Sequence, residues 1–268
     1  MVLYPEDQPG PSSQGFISAW EAVAKTQRAH AGKYRLVRQP DHARLSGELA
    51  RHLATATTAT MTEEMVSAIS LHDEGWSEFD SGLEKLRATP AQYADGIAVD
   101  EEGKPLSFLD IKAGDFLHAW RGSIAAAEAV APIAALMVSG HFYRLGKFGL
   151  KTGHYPPAEA ALVQQFVKEE ECRRERLPSS ETRTQEEIEY WIDVLQFCDL
   201  LSLYLCCGSE ESIEFPQRIA SSGEAVRLRV EDGVNVLSPN LFAQQTELSL
   251  EAHVFPGGSP ITLKWIVR

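Results

Sequence analysis

Residues 188–207 read IEYWIDVLQFCDLLSLYLCC, a helix-length apolar run with one acid on its greasy side. At about 100° per residue, Asp199 falls on the same face as Ile188, Ile192, Leu195, Leu203 and Cys206. A carboxylate removed from water is costly unless a cation, a strong donor or a metal lies beside it. A partner for Asp199 must therefore come from elsewhere in the chain. Upstream, QPDHARLSGEL (39–49) supplies His42, and ISLHDEGW (69–76) supplies the adjacent pair His72 and Asp73. Each of these segments has helical periodicity and an apolar face, so the three stretches together predict a metal site inside a helical body.

Working outward from these stretches, the spacing predicts a helix from about Phe16 to His30 and a short strand at YRLVR (34–38). A further helix starts near Pro40 and Asp41, with Leu45, Leu49 and Leu53 on the side of His42. Thr62 is the expected N-cap of the helix that ends at His72-Asp73, with Gly75 as its stop. Residues 77–114 are polar and punctuated by Gly and Pro, and read as a long irregular excursion. Helical pattern resumes near Asp115, an expected N-cap, and carries His118 beside Gly122, Ala125 and Ala129. It continues through APIAALMVSGHFYRL (131–145), where His141 lies with Ala134, Met137, Val138 and Leu145. Helices over about 157–176 and 184–207 complete the body.

After Gly208 the period changes from about 3.6 to 2. VRLRVEDGVNVL (226–237) reads as a hairpin turning at Asp232-Gly233, and TELSLEAHVF (246–255) and ITLKWIVR (261–268) alternate in the same way. The expected fold is mainly α, a helical bundle over residues 14–211. A mobile arm (1–13) precedes it, and a small β-rich subdomain (212–268), able to recruit the strand near residue 36, packs on it.

Composition bounds the function. The formal net charge of −13 disfavours a nucleic-acid partner, because such affinity comes largely from Lys and Arg neutralising phosphates. No apolar run reaches membrane-spanning length, and the first residues lack a signal-peptide pattern, so a cytoplasmic protein without a membrane partner is expected. A small anionic substrate remains compatible with one locally basic cleft, and a homo-oligomer is compatible with the sequence. Cys172, Cys198, Cys206 and Cys207 contain no CxxC pair and read as reduced thiols.

Imidazole and carboxylate together suit Fe, Mn, Zn, Ni or Mg, and the set His42, His72, Asp73, His118, His141 and Asp199 has enough donors for one or two ions. The order His … His-Asp … Asp on helices resembles the HD superfamily of metal-dependent phosphohydrolases, over roughly residues 36–207. The resemblance implies that His42, His72, Asp73 and Asp199 hold a first metal. It also implies that His118 and His141 serve as second-metal or substrate-phosphate ligands. QPDHARLSGEL, LHDEGW, VSGHF and FCDLLSLYLC together also resemble an uncharacterised bacterial family with this core.

Many HD phosphohydrolases carry a lysine soon after the pair, whereas this chain continues Glu74-Gly75-Trp76. A phosphate-contacting cation must come from elsewhere. Arg144 and Lys147, which follow His141, are the preferred candidates, and a solvated surface cluster is the alternative for both. Asp73, as a bridging ligand, and Asp80, in WSEFD (76–80), as a proton-transfer group, are the candidate catalytic carboxylates; the alternative for Asp80 is a loop residue capping a turn. Asp193 lies with Glu186, Glu189 and Gln196 and reads as a surface acid. The resulting expectation is a phosphohydrolase of a small, nucleotide-like phosphoester working through a metal-activated water. A di-iron oxygenase and a non-catalytic metal-containing sensing module are the alternatives.

Overall fold

The computed structural model describes residues 1–7, 15–53, 61–176 and 183–268. The helices follow the apolar periodicity. In chain order they are α1 (Ala19–Arg28), α2 (Gln39–His52), α3 (Glu63–Leu71), a single turn α4 (Ser77–Asp80), α5 (Ala113–Glu128), α6 (Pro132–Lys151), α7 (Pro157–Arg176) and α8 (Gln185–Cys206). The start of α8 is set by a capping box, in which Thr184 Oγ accepts the Glu187 N–H and the Glu187 carboxylate accepts the Thr184 N–H. Apolar residues of α2, α3, α5, α6 and α8 meet in one buried cluster that includes Leu45, Leu49, Met65, Ile69, Ile124, Met137, Ile192 and Leu195.

The mainly α expectation with a small β subdomain is corrected by the sheet. Among the described residues about 49% are helix and 20% strand. Its principal sheet has eight strands: β1 (Val2–Pro5), β2 (Ile17–Ser18), β3 (Tyr34–Val37), β6 (Ile213–Glu214), β7 (Arg227–Glu231), β8 (Val234–Ser238), β9 (Thr246–Phe255) and β10 (Pro260–Val267), in the order β1-β3-β9-β10-β8-β7-β6-β2. Three of these come from the first 37 residues, so the sheet is not a C-terminal appendage. The physical reason is length. β3 is the expected YRLVR strand and pairs with β9, but β1 and β2, of four and two residues, carry no readable alternation. The expected arm at 1–13 is likewise corrected in its first part: Val2 and Leu3 are fully buried, and β1 pairs antiparallel with β3. Residues 8–13 of that arm lie outside the described residues.

The long strands match their expectation. β7 and β8 form the hairpin through Asp232 and Gly233, both with positive φ, as a tight turn of this kind requires. Residues 77–114 are less irregular than expected: β4 (Gln92–Ala94) and β5 (Ile97–Val99) form a separate hairpin there, and a 3₁₀ turn covers Phe108–Asp110. Asp115 lies inside α5 and caps nothing in its own helix. Its carboxylate accepts the N–H groups of Arg87, Ala88 and Thr89 at 2.7 to 3.2 Å, which folds this excursion back onto α5. Among the described residues, no helix is long and apolar enough to cross a membrane.

Candidate metal centre

Four helices bring the candidate ligands together. His42 stands in the first turn of α2, His72 caps the C-terminal end of α3, His141 lies midway along α6 and Asp199 lies on α8. Asp73 leaves the helix with φ −118° and ψ 19°, which turns its side chain back toward His42. Two close approaches fix this frame. A Cβ on Gly75 would sit 1.9 Å from the Ala119 carbonyl oxygen, so the turn after Asp73 lies directly on the α5 backbone. The Gly75 N–H also donates to Ser123 Oγ at 3.0 Å. Gly75 is thus needed for contact, and the helix before it has already ended at Leu71. Beside His141, a Cβ on Gly140 would meet Ile192 Cδ1 at 2.3 Å, so α6 and α8 touch there.

The donor atoms form two triads sharing one member, His42/His72/Asp73 and His72/His141/Asp199, each with its ligand atoms within 4.8 Å of one another. His42 Nε2 is 2.8 Å from Asp73 Oδ2. His72 Nε2 is 3.3 Å from Asp199 Oδ1 and 3.8 Å from Asp73 Oδ2, and His141 Nε2 is 3.8 Å from Asp199 Oδ2. Ligand atoms about 2.1 Å from a shared ion stand about 3.0 to 3.5 Å apart in octahedral or tetrahedral geometry; the His72–Asp199 separation of 3.3 Å lies in that range, the His42–Asp73 contact of 2.8 Å is a hydrogen-bond distance, and the two 3.8 Å separations are slightly wider. The imidazoles of His42 and His72 are fully buried, whereas the Asp199 side chain is 14% exposed and gives the cluster its contact with solvent.

The hydrogen bonds behind the ligands set their chemistry. His72 Nδ1 donates to the Ile69 carbonyl at 2.7 Å, because a carbonyl can only accept. Its Nε2 therefore faces two carboxylates either as a lone pair or as the second N–H of an imidazolium. Without an ion the electrostatics choose the cation: burial alone would lower the His72 pKa, but the charges of Asp73 and Asp199 override it and raise it to about 9. Burial pushes His141 the other way, to about 4, so it is neutral. Burial would raise Asp199, yet the His72 hydrogen bond and the surrounding imidazoles draw it down to about 2.

The donor set fits a divalent cation. Two carboxylates and three imidazoles converge in a largely buried site, the mixture of donors that such an ion takes. The buried His141 Nδ1, the ring nitrogen other than the one nearest Asp199, has no hydrogen-bond partner among the described residues.

Other expected site residues lie elsewhere. His118 is largely exposed on α5, 3.7 Å from Glu84 Oε2 and against the Phe79 ring, and belongs to neither triad. Asp80 is engaged in structure: its Oδ2 accepts the Gln39 N–H at 2.6 Å and its Oδ1 lies 3.5 Å from the Met1 amine. Arg144 is committed to α8, donating to Asp193 Oδ1 at 2.7 Å, Gln196 Oε1 at 3.0 Å and Glu189 Oε2 at 2.6 Å. Asp193 is correspondingly an ion-pair partner, not a merely solvated acid. Lys147 donates to Tyr143 Oη at 3.1 Å on the surface.

Sequence reading missed Ser46 and Ser202, fully buried hydroxyls next to His42. Their signal was spacing, since Ser46 stands four residues after His42 and Ser202 three after Asp199.

A family model described as protein of unknown function (DUF3891) matches residues 26–256. The chain belongs to the DUF3891 family. No curated protein and no solved structure matches it. The DUF3891 match runs from within α1 to the end of β9 and takes in all five clustered ligands. The match thus covers helices α2 to α8 and the sheet strands β3 and β6 to β9, while β1, β2 and β10 lie outside it.

Proposed function

We propose that the protein is a metal-dependent phosphohydrolase. In this reading His42, His72, Asp73 and Asp199 hold a divalent ion (Fe, Mn, Zn or Ni, or else Mg), with His141 beside them, and the substrate is a small, nucleotide-like phosphoester. The carrying observation is His72: its Nδ1–H is spent on the Ile69 carbonyl while its Nε2 stands between the carboxylates of Asp73 and Asp199. That is the arrangement in which a backbone acceptor orients a ligating imidazole. The reaction class rests on the resemblance in ligand order to the HD phosphohydrolases, and a cytoplasmic setting accords with four free cysteines.

When bound, a metal of this kind supplies a Lewis acid for a phosphoryl oxygen and a water of lowered pKa. The chain's own residues do the rest. Apolar side chains of α3, α6 and α8 exclude bulk water around His42 and His72, which strengthens every charge interaction in the site. Asp199, the partly exposed ligand, sits where substrate meets the cluster. His141 stays neutral and faces Asp199 without adding charge.

The test is elemental analysis of the purified protein followed by turnover of a phosphoester panel. Stoichiometric metal that is lost in His72→Ala, together with metal-dependent phosphate release, is the expected result. Absence of metal, or unchanged metal in His72→Ala, overturns the site. A second reading is a dinuclear iron oxygenase, in which His72 Nε2, with a single lone pair, would serve one ion and the remaining residues of the two triads would have to hold the other. Two irons per chain and oxygen consumption would favour it, whereas metal without any turnover points to a binding module.

A further inference from the structure

Beneath His42 lie two hydroxyls with more partners than hydrogens. Ser202 Oγ is 2.8 Å from the Asp199 carbonyl oxygen, 2.7 Å from Ser46 Oγ and 3.0 Å from His42 Nδ1. Ser46 Oγ is in turn 3.0 Å from the His42 carbonyl oxygen. Each serine has one hydrogen, and the two carbonyls can only accept. If Ser202 donates to the Asp199 carbonyl, Ser46 can fill the serine-serine contact and His42 must be the donor at Nδ1. If Ser202 instead donates to Nδ1, His42 must carry its hydrogen on Nε2, where it meets Asp73 Oδ2 at 2.8 Å.

These two states differ in what His42 offers the cluster. With the hydrogen on Nδ1, Nε2 presents a lone pair and can ligate; with the hydrogen on Nε2, it cannot. A neutral imidazole is kept in both, so His42 changes between them without a buried charge appearing. His72 lacks this freedom, because its Nδ1 faces a carbonyl and not a hydroxyl.

We propose that Ser202 is a positioning residue: its hydroxyl, backed by Ser46, accepts from His42 Nδ1 and so sets the tautomer in which Nε2 is open to a metal. The same oxygen donates to the Asp199 carbonyl, tying the first and last ligands of the set to one atom. This inference rests on the metal-binding reading, but its test has a readout that does not.

The experiment compares Ser202→Ala, Ser202→Thr and Ser46→Ala with the parent by competition of Zn²⁺ or Mn²⁺ against a chromophoric chelator. Imidazole ¹⁵N spectra of the metal-free and metal-loaded proteins, with His42→Gln used to assign its ring signals, form the second readout. Ser202→Ala is expected to weaken metal binding about 10- to 100-fold, the range seen when the hydrogen-bond partner behind a ligand is removed. It should also shift the His42 ring nitrogens while leaving those of His72 in place. Ser202→Thr, which restores the hydroxyl, should recover most of the affinity, and Ser46→Ala should cost less than Ser202→Ala. Far-UV circular dichroism checks that each variant is folded.

Metal affinity within about twofold of the parent in Ser202→Ala overturns the inference while leaving the metal site standing. A parent that binds no metal overturns the functional reading instead. Ser202 is then judged on the ring spectra alone, and unchanged His42 signals in Ser202→Ala sink it.

Discussion

The Asp80 carboxylate reaches across 41 residues to accept the Gln39 N–H at 2.6 Å, capping from outside the helix that carries His42. Neither Arg38, which occupies the N-cap, nor Asp41 in the first turn supplies that bond from within α2. Asp80→Ala should therefore cost about 0.5 to 2 kcal/mol of stability, the usual range for a lost cap. Asp80→Asn, which keeps an acceptor, should cost less and preserve metal content. Chemical denaturation of both variants checks the order. Proton transfer through Asp80 would instead leave stability intact and remove turnover in both.

Arg144 is expected to behave as a clamp between α6 and α8. Arg144→Ala should lower stability by about 1 to 2 kcal/mol, because three α8 acceptors lose their donor in a partly exposed setting. The affinity of the cluster for metal should stay near that of the parent. A melting curve and a metal titration on the same sample separate the clamp from a substrate contact, which would raise KM at unchanged stability.

The metal-free protein should show a maximum of stability near pH 6.5 from its two perturbed histidines. His141, lowered from 6.5 to about 4, binds fewer protons folded than unfolded, so its contribution is present above 6.5 and is lost as pH falls toward 4. His72, raised from 6.5 to about 9, binds more protons folded, so its contribution is present below 6.5 and is lost as pH rises through 9. Asp199, lowered from 3.8 to about 2, adds stability above 3.8 that is lost only as pH falls toward 2. Each limb should be on the order of 1 to 3 kcal/mol. Saturating metal, which requires His72 unprotonated, should flatten or reverse the alkaline limb. Denaturant midpoints across pH 4 to 9, with and without metal, measure both limbs.

Gly75→Ala should be among the most damaging small substitutions in the protein. Its methyl group would lie 1.9 Å from the Ala119 carbonyl oxygen and 2.7 Å from the Ser123 nitrogen, both backbone atoms that cannot step aside. Destabilisation above about 3 kcal/mol and loss of bound metal are expected together, since the same turn carries His72 and Asp73. Thermal melting with metal analysis tests the link.

The clustering of these residues was legible because His42, His141 and Asp199 sit at a regular spacing on apolar helices and His72 with Asp73 closes a third. Asp199 on its buried face and the adjacent His72 and Asp73 broke a pattern that sequence alone displays. His118 has the same local signature, yet α5 presents it outward: helical period gives a face but not which face turns to the centre. Arg144 and Lys147 follow His141 closely in sequence, but Arg144 finds its acceptors on α8, a tertiary pairing no local pattern encodes. The same limit governed the sheet. β9 and β10 announce themselves by alternation over ten and eight residues and β3 by the short run YRLVR, whereas β1 and β2 become strands only because other strands lie beside them.

The sheet order also imposes a timetable on folding. β3 pairs with β9 through Tyr34↔Phe255, Arg35↔Val254 and Leu36↔His253, so its inner edge stays unpaired until nearly the whole chain has been made. The four ligand-bearing helices are complete by Cys206 and can associate earlier. Synthesis thus passes through a stage in which the helices are available to one another while β1 and β3 offer an open edge, the kind of surface that recruits other strands. Closure by β9 ends that exposure.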